Sequence, residues 1–309
     1  MPFSRYEVSD LRLSRTSADL LLLLVCVIWG GSFVIVRDSV RIMPPLFLIG
    51  GRFVLAFIAV ALCFPRSFRA WRANLPFGVL LSLPLLGGFI TQTLGLRYTT
   101  ASNSGFITGF NVILVALLAA ILRTQKLKFR TMLGVLLATA GLVFLSWQPG
   151  GWSFGRGDLL TLACAVFFAL HIVATGAIAP GRDPVALAGI QFAAVALASL
   201  LLNPVAGGGF HLPSVQGFLA LVYLGLGGTA FAYLMQTSAQ RHTSSVDTAL
   251  IFATEPLFAA AIAVLLGGEH LTLQALIGGG SIIIAMLIAV SAQERNQAVP
   301  AALSTYLTL

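Results

Sequence analysis

The amino-acid sequence predicts an all-α integral membrane protein in which ten transmembrane helices form two inverted five-helix repeats. Three observations lead to this prediction: the composition, ten apolar segments of spanning length, and an internal repeat. Of the 309 residues, 58% are hydrophobic and only 9% are charged, and the mean hydropathy is +0.96. Since soluble domains carry about 25% charged residues, this composition excludes an ordinary cytoplasmic enzyme, a disordered chain and a secreted disulfide scaffold.

The ten apolar segments are long enough to cross a bilayer, which takes about 20 residues per helix. They are continuous and do not alternate with a period of two, so helices are favoured over barrel strands. The first is interpreted as a retained helix, because it is longer than the core of a cleaved signal peptide. The predicted helices cover residues 18–36, 44–64, 75–95, 102–122, 131–148, 157–179, 184–203, 214–239, 245–266 and 271–291. Short polar, proline-containing or glycine-containing segments separate them, namely 37–43, 65–74, 96–101, 123–130, 149–156, 180–183, 204–213, 240–244 and 267–270.

The distribution of Lys and Arg predicts the orientation of the chain. With the N-terminus inside, 13 of the 18 basic residues fall in inner segments and 4 in outer ones, while Arg52 lies within a span. Because cytoplasmic loops carry the basic excess, we predict a multi-pass protein of the cytoplasmic (inner) membrane with both termini cytoplasmic. The net charge of +8 then reflects topology, and no nucleic-acid partner is expected.

An internal repeat relates the two halves of the chain. The matched positions, at a shift of 139 or 144 residues, are Asp19 with Asp158, Ser32 with His171, Arg52 with Gln191, Gln92 with Gln236, Arg97 with Arg241, Thr99 with Thr243 and Gly134 with Gly278. Each repeat holds five helices, an odd number, so the second half must enter the membrane from the opposite side. Such inverted pairs are typical of secondary transporters, whose halves exchange inward-open and outward-open states around a midplane site.

The repeat also predicts the organisation of the chain. Residues 1–17 form a cytoplasmic N-terminal tail, 18–148 the first repeat, 149–291 the second repeat and 292–309 a cytoplasmic C-terminal tail.

Several short motifs link the sequence to a known family. They are, in chain order, Trp29-Gly30-Gly31-Ser32-Phe33, Arg52-Phe53, Thr99-Thr100-Ala101-Ser102-Asn103, Glu255-Pro256-Leu257-Phe258, Gly268-Glu269 and Gly278. By these motifs the chain resembles, over residues 18–291, the drug/metabolite transporter superfamily and its ten-helix EamA group. The resemblance implies export of small metabolites through a central cavity lined by helices 1, 3, 4, 6, 8 and 9. Length and aromatic content point to a YddG-type amino-acid exporter within the group.

Three ionisable side chains lie well inside the predicted spans: Arg52, His171 and Glu255. A charge at that depth costs about 3 kcal/mol on insertion scales, so it is usually buried against a partner or a water-filled cavity. Glu255 is interpreted either as a substrate amino-group contact or proton-coupling carboxylate, or as a structural group that caps the kink at Pro256 or pairs with Arg52. His171 is either a proton relay or a hydrogen-bonded packing residue, and Arg52 is expected to hold helix 2 to a neighbour.

The candidate substrate site combines these groups with aromatic and neutral polar residues on the cavity helices. Apolar walls with a few polar groups are typical of small-molecule sites, although aromatic residues in lipid also serve ordinary packing. The candidate substrate-binding residues are Trp29, Ser32, Phe89, Thr108, Asn111, Phe168, His171, Tyr233 and Glu255. Asn111 occupies the position that Glu255 has in the second repeat, so the acidic group occurs once.

Acidic residues at helix starts are interpreted differently. Asp19, Asp158 and Asp247 each open a predicted helix, where a carboxylate satisfies free backbone N–H groups and favours the positive end of the helix dipole.

The repeat and the midplane residues predict a transporter that works by alternating access, and the family resemblance implies that it exports small metabolites, most of all amino acids including aromatic and other hydrophobic ones. The partners expected are a small-molecule substrate and the lipid bilayer, with the oligomeric state left open. No P-loop, HExxH, GxSxG or paired acidic metal ligands occur, so neither a cofactor nor an enzyme activity is expected. The alternatives are an exporter of cationic drugs or other amphipathic metabolites, an intramembrane enzyme and a passive channel.

Overall fold

The computed structural model describes residues 15–122, 129–145, 147–148, 151–152, 155–210, 212–240 and 245–291. Nearly all of this part of the chain is helical. The α-helices are α1 Arg15–Ser39, α2 Pro45–Cys63, α3 Trp71–Gly95, α4 Ala101–Gly109, α5 Asn111–Ile121, α6 Phe129–Leu145, α7 Arg156–Ile178, α8 Pro184–Val205, α9 Val215–Val222, α10 Ala232–Ala239, α11 Ser245–Phe252, α12 Glu255–Leu265 and α13 Leu273–Ser291. A 3₁₀-helix at Pro65–Ala70 leads into α3, and a π-helix at Tyr223–Phe231 joins α9 to α10.

Seven helical segments in the described ranges are long and apolar enough to cross a membrane. They are Leu20–Ser39, Pro45–Cys63, Pro65–Gly95, Ala101–Ile121, Arg156–Ile178, Pro184–Val205 and Val215–Ala239. Three shorter apolar helices cover Met132–Gly141, Glu255–Leu265 and Leu273–Ile288. Large apolar side chains also lie on the outside of the bundle: Leu62 is 76% and Leu201 64% exposed, as expected for a surface in contact with lipid.

Two helices that the sequence predicts as continuous, 102–122 and 245–266, are each broken in the middle. α4 gives way to α5 at Phe110, and α11 gives way to α12 after Phe252. Pro256, which cannot donate a backbone hydrogen bond, accounts for the second break. The two breaks pack against each other, since a Cβ atom added to Gly109 would lie 2.5 Å from Cγ of Pro256. Glycine at this position therefore allows α4 to approach α12.

Two further differences concern the predicted helices 131–148 and 214–239. The first of these ends at Leu145, and Trp147–Gln148 pairs with Gly151–Trp152 as a short antiparallel hairpin. The second contains the π-helix, in which the Thr229 hydroxyl donates to the carbonyl of Leu224, five residues earlier, at 2.7 Å. π-Helical turns inside α-helices frequently mark functional positions.

Small residues bring other helices close together around the centre of the bundle. A Cβ atom on Gly30 in α1 would lie 2.7 Å from Cβ of Phe258 in α12, and one on Gly88 in α3 would overlap the ring of Phe168 in α7. Close backbone approach at small residues is a common way to pack helices in membranes. These contacts place α1, α3, α7 and α12 around one central space.

The capping prediction can be examined at Asp158 in α7. Its Oδ2 accepts from the backbone N–H of Gly155 at 3.1 Å, and its Oδ1 accepts from the Thr99 hydroxyl at 2.7 Å. The carboxylate therefore caps its helix and also ties α7 to the connection that follows α3. The side chains of Asp19 and Asp247 lie outside the described part of the structure.

Candidate functional site

A central pocket lies where α1, α2, α3, α5, α7, α10, α11 and α12 meet. It holds about 520 Å³ of space that no protein atom occupies, part of it open to the surroundings. The lining residues are Trp29, Ser32, Phe33, Arg52, Phe89, Gln92, Asn111, Phe168, His171, Ile172, Tyr233, Gln236, Phe252 and Glu255. Eight of the nine residues chosen from the sequence are in this set, and Thr108 is the exception. The set adds six residues: Phe33, Arg52, Gln92, Ile172, Gln236 and Phe252.

The two broken helices each present a polar residue to the pocket at the start of their second half. Asn111 is the first residue of α5 and Glu255 the first of α12, and they are 4% and 8% exposed. The Oδ1 atom of Asn111 is buried without a hydrogen-bond partner. Among the described residues, no backbone group donates to the Glu255 carboxylate. Glu255 also does not pair with Arg52, because the ion pairs found in the described ranges are those of Arg37. Both acceptors are thus available to a ligand.

Arg52 is a cation held rigidly at the pocket wall, where it is only 3% exposed. Its Nε donates to the Thr229 hydroxyl at 2.9 Å and its Nη2 to the carbonyl of Leu224 at 3.3 Å. The guanidinium carbon also lies 4.6 Å from the ring centroid of Phe89. The side chain thereby joins α2 to the π-helix, the role that the sequence predicts, and it lines the pocket as well.

His171 is tied to Gln191 of the neighbouring helix α8. Its Nε2 lies 2.7 Å from Oε1 of Gln191, while Nε2 of Gln191 donates to the carbonyl of Leu187 at 3.2 Å. The amide nitrogen is thus used by Leu187, so Oε1 must accept and the Nε2 of His171 must donate. In the neutral ring this leaves Nδ1 of His171, a residue that lines the pocket, as an acceptor.

Aromatic rings form much of the remaining wall. The ring of Trp29 lies 5.3 Å from Tyr233 and 5.0 Å from Phe252, centroid to centroid, and its Nε1 donates to the carbonyl of Gly228 at 2.9 Å. Such tilted contacts fix ring positions and leave apolar faces for a ligand.

A second polar cluster surrounds Glu269, in the connection between α12 and α13. The carboxylate accepts from Nη1 of Arg37 at 2.6 Å, from the backbone N–H groups of Ala101 at 2.8 Å and Ser102 at 3.1 Å, and from the Ser102 hydroxyl at 2.6 Å. Burial raises the pKa of Glu269, but the hydrogen bonds from Ser102, Ala101 and Arg37 outweigh it and hold the pKa below its ordinary value. This cluster joins the end of α1 to the start of α4. In the sequence its only signal was the Gly268-Glu269 motif.

Comparison with known proteins identifies the family. The model of the EamA-like transporter family matches the chain twice, over residues 16–147 and 155–291. The chain belongs to the EamA-like transporter family. The expectation from the sequence motifs is therefore confirmed at the level of the family, and the protein is a transporter rather than an enzyme.

Two relatives of this EamA-like transporter cover most of its length, and a third covers about half of it. An uncharacterized transporter of Archaeoglobus fulgidus is 32% identical over 89% of this chain and 86% of its own. The uncharacterized inner membrane transporter YedA of Escherichia coli K12 is 26% identical over 85% of this chain and 87% of its own. A probable amino-acid metabolite efflux pump of Salmonella typhimurium is 30% identical over 48% of this chain and 50% of its own.

A solved crystal structure has the same fold, with a TM-score of 0.68 and 24% sequence identity over 89% of this chain and 97% of the other. Together with the seven candidate spans, the family and its relatives establish a multi-pass membrane transporter.

Proposed function

We propose that this EamA-like transporter is a secondary transporter that exports amino acids and similar small metabolites by alternating access around the central pocket. The observation that carries the proposal is the pocket itself, which combines a buried Arg52, a buried Glu255 and aromatic walls at the breaks of two helices. Broken helices that surround a site deep in the membrane are typical of secondary transporters. Buried charges at that depth indicate a path for a polar substrate.

Two inverted five-helix repeats, 18–148 and 149–291, are part of the proposal. The two matches to the same family model support them. So do the helix breaks, because Phe110 and Thr254 are related by the 144-residue shift that also relates Asn111 to Glu255. The seven candidate spans and three shorter apolar helices would supply the ten helices.

The Glu269 cluster is proposed to close the external end of the pocket. The end of α1 faces outward in the predicted orientation, and Arg37 at this end is held through Glu269 to the start of α4. The hydrogen bond from Thr99 to Asp158 closes the same end between α3 and α7. Export then requires these contacts to break while an inner set forms, so that the pocket opens to one side at a time.

Amino acids are favoured as substrates because the pocket offers both signs of charge beside apolar rings. The partial similarity to a probable amino-acid metabolite efflux pump supports the same substrate class. A second candidate, an exporter of cationic amphipathic molecules, is favoured by Glu255, which has no basic partner among the described residues.

Counterflow in proteoliposomes tests the proposal. Purified protein is reconstituted and tested with a labelled panel of amino acids, cationic dyes and nucleobases, with and without a pH gradient. We expect saturable counterflow of hydrophobic amino acids, and unchanged transport in the lipid-facing control Leu62→Ala, whose side chain is 76% exposed. If every amino acid fails and the dyes are transported, the cationic candidate replaces the amino-acid assignment.

A further inference from the structure

We infer that the pocket binds an α-amino acid in one orientation, with its carboxylate on Arg52 and its primary ammonium group on Glu255, Asn111 and His171. This inference rests on the proposed function and specifies how the substrate is recognised. It predicts weaker binding of molecules that carry only one of the two charges.

Two opposite charges share the pocket without contact. Arg52 and Glu255 both line it and are both buried, yet no ion pair joins them. An unpaired buried charge is costly, and each member of such a pair is stabilised only when a partner reaches it. A zwitterion supplies both partners at once, and a monovalent cation leaves Arg52 unpaired.

At the end of the pocket proposed to bind the substrate carboxylate, the guanidinium of Arg52 is already held in position. Nε and Nη2 of Arg52 are engaged by Thr229 and Leu224, and Phe89 lies under the guanidinium plane. Nη1 donates to no other described residue. A fixed guanidinium loses little freedom when it binds a carboxylate, so these contacts prepare Arg52 for that ligand.

The ammonium pole consists of acceptors from three helices. They are the carboxylate of Glu255 on α12, the unpaired Oδ1 of Asn111 on α5 and Nδ1 of His171 on α7, all at the pocket. A primary ammonium group has three N–H donors and can satisfy three acceptors. A tertiary amine has one and a quaternary ammonium has none, so this set favours a primary ammonium over typical cationic drugs.

The two repeats explain why the orientation is fixed. At the related positions Arg52 corresponds to the neutral Gln191, and Glu255 corresponds to the neutral Asn111. Gln191 is hydrogen-bonded to His171 and Leu187. The positive pole therefore comes from the first half of the chain and the negative pole from the second, which gives the pocket a permanent dipole.

The test uses three compounds with the same side chain: L-phenylalanine, phenylalaninamide, which lacks the carboxylate, and N-acetyl-L-phenylalanine, which lacks the ammonium group. Each competes for counterflow of labelled L-phenylalanine. In the wild type we expect phenylalanine to compete about 10- to 100-fold better than either analogue, the range for one charged hydrogen-bonded contact.

Two variants then test the contacts to the carboxylate and to the ammonium group separately. Arg52→Gln should bring phenylalaninamide close to phenylalanine and leave N-acetyl-phenylalanine poor, while Glu255→Gln should do the reverse. Arg182→Gln is the matched control, because Arg182 stacks on Phe77, with its guanidinium carbon 3.6 Å from the ring centroid, and does not line the pocket. It should preserve both ratios.

The possible failures are distinguishable. Equal competition by the three compounds in the wild type, or an equal loss for all three in both variants, would overturn the orientation and leave amino-acid export standing. If one variant does not fold, the wild-type ratios still test the need for both charges, and the other variant still assigns one charged group of the substrate to its residue. Absence of counterflow for phenylalanine and every other amino acid would remove the proposed function itself.

Discussion

If the Glu269 cluster closes one end of the pocket, as proposed, replacing Glu269 with glutamine should open that end. In the structure Oε1 accepts from Arg37 and Ala101, and Oε2 accepts from the backbone N–H and the hydroxyl of Ser102. Glutamine can keep one oxygen, but its NH₂ group would face at least one backbone donor. The charge that strengthens the other contacts also disappears.

The size of the effect follows from the bonds lost. One backbone N–H loses its acceptor and the Arg37 contact loses its opposite charge, at about 1–3 kcal/mol each. The closed conformation should therefore be destabilised by about 2–6 kcal/mol relative to the open one, which shifts their ratio by about 30- to 25,000-fold.

Cysteine labelling measures this shift. Ser32→Cys places a thiol in the pocket, in a background in which the native Cys26, Cys63 and Cys164 are replaced by alanine, and an impermeant maleimide is added from the Glu269 side. We expect much faster labelling in Glu269→Gln. Asp38→Asn is the matched control, since Asp38 pairs with Arg37 inside one connected segment and joins no second helix. Unchanged labelling in Glu269→Gln, or equal acceleration in Asp38→Asn, would refute the gating role.

Three further predictions concern Glu269, the close approach of α4 to α12, and Arg52. The hydrogen bonds hold the pKa of Glu269 below its ordinary 4.5 in the closed state. Closure should therefore be constant from about pH 6 to 8 and weaken as the pH falls through that depressed pKa. Faster opening as the pH rises would contradict this prediction. Gly109→Val should lower the free energy of unfolding in detergent by about 1–3 kcal/mol, because the valine side chain would overlap Pro256. Gly280→Ala should not lower it, because nothing lies within 4 Å of the added Cβ. Equal thermal stability of the two variants would refute the close approach of α4 to α12. Thr229→Val removes the acceptor for Nε of Arg52. The apparent affinity for phenylalanine, measured by counterflow, should therefore fall about 3- to 30-fold. An unchanged affinity would show that Arg52 needs no positioning by Thr229.

The sequence predicts the apolar helices to within a few residues, because a span must be about 20 apolar residues long. Pro256 predicts a kink near the break after Phe252, but nothing in the sequence predicts the break at Phe110, since hydropathy continues across it. The consequence is clearest at Thr108 and Asn111. Three residues apart, they would share a face of an unbroken helix, and both were chosen for the site. The break separates them, so that Asn111 lines the pocket and Thr108 does not.

The polar residues of the pocket were largely predictable for a different reason. A charge inside a span is costly, so Arg52, His171 and Glu255 stood out before any contact was known. Their partners did not, because Thr229 and Gln191 meet Arg52 and His171 only through tertiary packing. The π-helix that supplies Thr229 and Leu224 has no signature in hydropathy, although it contains three closely spaced glycines. The Glu269 cluster likewise depends on contacts across more than 160 residues.

Counterflow overshoot tests the central claim, that one pocket opens alternately to the two sides, most directly. Proteoliposomes are preloaded with unlabelled L-phenylalanine and diluted into a trace of the labelled compound, with no ion gradient. Alternating access predicts that labelled phenylalanine accumulates transiently above its equilibrium level, because the returning carrier is occupied by unlabelled substrate. Uptake that only rises to equilibrium, as through a channel, would contradict the account.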